Sequence, residues 1–230
     1  MRKLIAAAVL LAAASPAAAA DLGNGVTLAG TATLVSDYRF RGISLSGEDP
    51  AAQGSLELGH DSGFYAGVWG SSLEDTALYG EAELDLYAGW RREVASGTTV
   101  DLGFTYYWYP DGTGASDVFE PKVAVTQALG PVSATVGAAW APEQASVGGE
   151  DNLYLWAGLS GAIPGTPLTL KGQVGRSEGG FAPTGDYLDW SLGAEVAWGP
   201  AKLGLAYVDT DLGDFPIVDA GVVLSLSVGF

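Results

Sequence analysis

Twelve segments of this chain alternate apolar and polar side chains with a period of two. That period belongs to an extended strand with two unlike faces. In one segment Leu84, Leu86, Ala88 and Trp90 face one way, and Glu83, Asp85 and Arg91 face the other. In others Leu102, Phe104 and Trp108 oppose Asp101, and Leu188, Trp190, Leu192 and Val196 oppose Asp189 and Glu195. A charged face repeated from strand to strand cannot line a dry core. The apolar face therefore meets lipid and the charged face meets water. The twelve segments are 26–41, 53–60, 63–71, 81–91, 98–109, 118–128, 131–140, 152–161, 168–176, 187–198, 201–208 and 220–230. Most have the ~9–11 residues that a tilted strand needs to cross a bilayer. The expected fold is all-β: a transmembrane antiparallel β-barrel of about twelve strands.

The connections support this reading. Short turns at 61–63, 129–130 and 199–200 alternate with longer loops at 42–52, 72–80, 110–117, 141–151, 177–186 and 209–219. Short turns on one side and long loops on the other mark a barrel of the bacterial outer membrane. Aromatic girdles are expected from Phe64, Trp90 and Trp198 at the short-turn rim, and from Trp108, Trp140, Tyr187 and Tyr207 at the outer rim. Trp156 shares parity with Asn152 and Tyr154 and is expected to face the lumen. The terminal Phe230, after alternating apolar residues, resembles the signal read by the outer-membrane assembly machinery. The soluble competitor, a secreted β-sandwich, has the same short-range pattern.

The N-terminus reads as an address. Met1-Arg2-Lys3 precedes an apolar run of eleven residues, Leu4–Ala14, and Ala18-Ala19-Ala20 supplies small residues before Asp21. A spanning helix needs ~20 apolar residues, so this is a cleavable signal peptide over 1–20, followed by a barrel domain over 21–230. Removing Arg2 and Lys3 takes the net charge from −17 to −19. So acidic a chain is a poor partner for nucleic acid. The absence of Cys excludes disulfides, thiolate metal sites and a cysteine nucleophile. No cofactor and no resident metal are expected.

By parity, the lumen-facing charges are Asp37, Arg39, Arg41, Glu57, Glu81, Glu83, Asp85, Asp101, Glu120, Lys122, Lys171, Asp189, Glu195 and Lys202. Arg39 and Arg41 fall near the top of the first strand, where acids such as Glu57 can oppose them. Two arrangements are open: a structural ladder plugging a narrow barrel, or a constriction with facing positive and negative walls. The long loops hold fifteen acids and no Lys or Arg, which attracts cations to the mouth. Such a mouth also offers oxygen ligands to divalent ions bridging lipopolysaccharide, though a plain solvated face is the commoner arrangement. For catalysis, His60 and Ser62 with Asn24 or Asn152 offer the residue types of a lipid-modifying barrel enzyme. His60 falls at a short turn, however, and neither Asn is near it in sequence. Paired carboxylates among Glu81, Glu83 and Asp85 read as lumen charge rather than as a glycosidase pair.

One stretch carries a family resemblance. Val35-Ser36-Asp37-Tyr38-Arg39-Phe40-Arg41-Gly42-Ile43-Ser44 is similar to the opening motif of the TorF family of porins. Further similarity runs through Pro50-Ala51-Ala52-Gln53-Gly54-Ser55, His60–Ser71, Glu83–Gly89 and Tyr106–Pro110. The resemblance implies an outer-membrane barrel of a Gram-negative bacterium that acts as a channel. It brings no solute and no catalytic residues. The expected function is passive passage of small hydrophilic solutes or ions, with cations preferred. The alternatives are a structural or adhesive barrel with a plugged lumen, or an enzyme acting on lipid.

Overall fold

The computed structural model describes residues 19–213 and 216–230. The expected signal sequence before residue 19 and the loop acid Asp214 lie outside the described residues. Fifteen strands form: β1 (Ala20–Gly23), β2 (Val26–Val35), β3 (Arg39–Phe40), β4 (Ile43–Ser44), β5 (Ala51–His60), β6 (Phe64–Thr76), β7 (Gly80–Ala95), β8 (Thr98–Trp108), β9 (Val118–Leu129), β10 (Val132–Gln144), β11 (Glu150–Ala162), β12 (Leu168–Gly179), β13 (Asp186–Trp198), β14 (Ala201–Thr210) and β15 (Gly221–Gly229). β2 and β5 to β15 pair in sequence order, each antiparallel to the next, and β15 returns to β2. The result is a closed barrel of twelve strands, which leaves no free sheet edge in lipid.

Closure has a seam. β15 pairs with β2 from Ser225↔Val35 to Gly229↔Thr31. The Phe230 amide and carbonyl then bond Gly30 at 3.0 and 2.9 Å. Below that point β1 takes over the same edge, with Ala20 opposite Leu28 and Asp21 opposite Thr27.

Burial is inverted relative to a water-soluble protein. Leu192, Leu203, Val136 and Leu159 are among the exposed large apolar residues, while Glu83, Asn152 and Ser177 are fully buried. The outer belt is apolar, and the polar groups sit in the lumen. Phe64 and Trp198 stand exposed at one rim, and Trp108, Trp140 and Tyr207 at the other. Trp90 is half-buried and donates to the Ser62 carbonyl at 3.1 Å. Tyr187 departs from the expected girdle. It shares the parity of Asp189 and is buried on the inner side.

Several boundaries also differ from expectation, two of them most clearly. β2 stops at Val35, so the apparent strand through residue 41 is not continuous. The loop expected at 72–80 shrinks to 77–79, because β6 and β7 stay paired up to Thr76↔Gly80. Past the lipid belt both faces of a hairpin meet water. Polarity therefore marks the end of the membrane there, not the end of the strand.

Candidate functional site in the barrel lumen

Residues 36–50 leave β2 and turn inward rather than out to solvent. The Asp37 carboxylate ties the base of this loop, accepting from Ser44 Oγ at 2.6 Å, Ser46 Oγ at 3.2 Å and Arg39 Nε at 2.5 Å. The Tyr38 amide donates to Ser46 Oγ at 2.9 Å. β3 and β4 make a miniature hairpin, with Phe40 opposite Ile43. Its two-residue turn is Arg41-Gly42, with φ of 51° and 86°. Positive φ at both positions is the turn geometry that matches strand twist. For an arginine that conformation carries strain of about 1–3 kcal/mol. The contacts of its side chain must offset it.

Those contacts lie on the far wall. Arg41 Nη2 donates to both carboxylate oxygens of Glu120 on β9, at 2.7 and 2.8 Å. The guanidinium lies 4.1 Å from the centre of the Tyr154 ring on β11 and 4.7 Å from that of Phe40. Counting β2 as the first barrel strand, β9 is the sixth and β11 the eighth. The loop therefore crosses the whole lumen. Both side chains of the pair are buried, and Tyr107 also donates to Glu120 at 3.0 Å. Arg39 stays at the base, bound to Asp37, to Glu48 at 3.3 Å and to the Asp219 carbonyl at 2.5 Å. The expected opposition of Glu57 to these arginines does not occur.

The other lumen charges divide by depth. Near the loop, Glu83 accepts from Tyr109 at 3.2 Å, and Asp189 accepts from Tyr154 at 3.1 Å. One oxygen each of Glu83, Asp85 and Asp189, and Nη1 of Arg41, have no protein partner. Toward the short-turn end, Arg91 bonds Asp101 at 2.9 Å, lies 3.6 Å from Glu57, and packs 4.4 Å over Tyr65. Lys171 pairs with Glu195 at 2.6 Å with half its side chain exposed. Lys122 lines the space below the loop, Lys202 is exposed at the short-turn rim, and Glu81 is exposed at the top of β7.

The loop divides the lumen. On the outer side lies a cavity of about 320 Å³ walled by Ile43, Leu45, Tyr109, Phe181 and Tyr187. Below it, a cavity of about 220 Å³ is walled by Arg41, Glu120, Lys122, Trp156 and Gln173. Trp156 and Gln173 also line a further cavity of about 310 Å³ together with Lys171. Trp156 thus faces the lumen as its parity required, stacked on Tyr154 with ring centres 5.7 Å apart. Phe40 and Tyr107 line both the outer cavity and the one beneath, their rings edge to face at 5.7 Å. Sequence reasoning did not single out these two. Tyr107 shares the lumen parity of Asp101, which was the available signal.

His60 Nδ1 lies 2.6 Å from Ser62 Oγ and also accepts the Ser62 amide at 3.1 Å, within one exposed turn. Asn152 is buried at the other end, bonded to Ser177 and the Phe181 amide. Asn24 comes near through the pairing of Val26 with His60, but makes no side-chain bond to it. Among the described residues no group of three or more His, Asp or Glu side chains is placed to hold a metal ion.

A family model covers residues 18–221. The chain belongs to the Gcw_chp family, described as bacterial proteins of unknown function. No curated protein matches the sequence. Among solved structures, the KdgM porin aligns with a TM-score of 0.61 at 8% identity, covering 88% of this chain and 98% of that one. The NanC porin aligns with a TM-score of 0.58 at 11% identity, covering 88% and 97%. At these identities the likeness is one of fold: the Gcw_chp chain is a barrel of the same architecture.

Proposed function

We propose that this protein is a porin-like channel of the Gram-negative outer membrane, passing small hydrophilic solutes or ions through a lumen narrowed by the inward loop. The carrying observation is the charged chamber beneath the loop, where Lys171 and Arg91 are about half exposed although both lie inside the barrel. Charged groups accessible to water within a closed barrel describe an aqueous path. The porin neighbours and the similarity of Val35–Ser44 to the TorF porins support the same reading. Arg39 and Asp37 hold the loop base, and Arg41 and Glu120 set the constriction. Glu83, Asp85, Lys122 and Asp189 line the passage, with Glu57, Asp101, Lys171, Glu195 and Lys202 toward its inner end and Glu81 at its mouth. The acid excess gives a cation preference. No cofactor takes part. Residues 1–20 direct export and are removed, Phe230 presents the chain to the assembly machinery, and the outer loops meet lipopolysaccharide.

A second reading has its own observation. The loop reaches the opposite wall through Arg41 and Glu120, as a plugged structural or adhesive barrel requires. Planar-bilayer recording separates the two. Reproducible conductance steps are expected, and silence from correctly folded protein at high load overturns the channel.

A further inference from the structure

The cavity outside the loop differs in chemistry from the chamber beneath it. Aromatic faces dominate its wall, with Phe40 and Tyr107 as the floor and Tyr79, Tyr109, Phe181 and Tyr187 around the sides. Aliphatic side chains fill most of the rest. Its volume of about 320 Å³ is within the span of small-molecule pockets, roughly 300–1,000 Å³. Glu74 is its charged lining group, and no Lys or Arg among the described residues lines it. The Arg41 guanidinium lies 4.7 Å from the Phe40 ring and is paired with Glu120. Exposed carboxylates stand on the same segments as its lining residues: Glu48 after Leu45, Asp75 beside Glu74 and Asp111 after Tyr109.

An apolar pocket of aromatic faces is wetted poorly, so it takes ring surface out of water. The negative faces of those rings, together with Glu74, favour a cation near the ring and oppose an anion. We propose that this vestibule is a binding site for a small ring-bearing solute that is neutral or cationic and that rests on the Phe40–Tyr107 floor before entering the lumen. The last step depends on the channel reading; the binding site does not.

Three probes that share one ring system and differ in charge test it: indole, tryptamine and indole-3-acetate. Binding is measured by equilibrium dialysis of the barrel in lipid nanodiscs, with empty nanodiscs subtracting partition into lipid. Saturable binding of indole and tryptamine is expected. Indole-3-acetate should bind at least about tenfold more weakly, since an unpaired carboxylate is costly against an apolar wall. Thr76→Arg and Ile217→Arg place a cation at two different walls, both at exposed positions, with folding of each checked by the gel shift. Each should weaken tryptamine by about tenfold or more and reduce the disadvantage of indole-3-acetate. Equal binding of all three probes, no saturable binding, or two variants indistinguishable from wild type overturns the site. Binding to a barrel that never conducts keeps the site and removes the channel. Conductance without binding does the reverse.

Discussion

Arg41 Nη2 lies 2.7 and 2.8 Å from the two carboxylate oxygens of Glu120. One residue is on a loop leaving the first barrel strand, and the other is on the wall across the lumen. The pair is buried on both sides. Removing one partner of a buried pair leaves an uncompensated charge and costs about 3–5 kcal/mol. Arg41→Ala should therefore release the loop and lower the temperature at which the folded band is lost on an unheated-versus-heated gel. Replacing both, as in Arg41→Met with Glu120→Gln, should recover much of that loss. A double variant as unstable as the sum of the singles contradicts a direct coupling.

Gly42 supports the same contact from the backbone. Its φ is 86°, and a Cβ there would sit 2.3 Å from Thr210 Cγ2 and 3.2 Å from Asp189 Cβ. Gly42→Ala should displace the hairpin tip and reproduce the conductance of Arg41→Ala while leaving both charges present. Wild-type conductance in Gly42→Ala would show that the tip does not set the narrowest point.

The barrel was legible in the sequence because lipid imposes a period of two on every spanning strand. Trp156 followed from parity alone. Parity failed at residues 36–41. Tyr38 and Phe40 alternate with Asp37, Arg39 and Arg41, and β3 is itself extended, so the pattern runs on past the true end at Val35. What breaks the strand is three-dimensional: the knot of Asp37 with Ser44 and Ser46, and two consecutive positive φ angles at Arg41 and Gly42. Neither leaves a periodic trace. Residue type points Tyr187 to the girdle, whereas its parity with Asp189 places it inside.

The seam offers a test of assembly. Gly30 lies directly under the Phe230 ring, and a Cβ there would stand 2.3 Å from Phe230 Cζ. Gly30→Leu should push the ring off the seam, reducing the folded, heat-modifiable fraction in the outer membrane. Gly54, beside β2 but with no side chain packed on it, should tolerate Ala and serves as the control. Equal folded fractions for the two variants would remove Phe230 from barrel closure.

Selectivity follows from charge. With a net charge of −17 before export and an acid-rich mouth, a cation entering from outside should be favoured. Reversal potentials in a salt gradient should show cation preference. It should weaken as salt rises, because the screening length falls from ~10 Å at 0.1 M to ~3 Å at 1 M. Replacing Arg39 and Arg41 together by Ala should make the channel more cationic. An anion-selective wild type would contradict the electrostatic reading.

The most direct test of the central claim is single-channel recording of wild type beside Arg41→Ala, with folding of both confirmed by the gel shift. Wild type should give reproducible steps, and the variant should give larger ones because the loop no longer reaches Glu120. Silence from both folded proteins would contradict a solute path through this lumen.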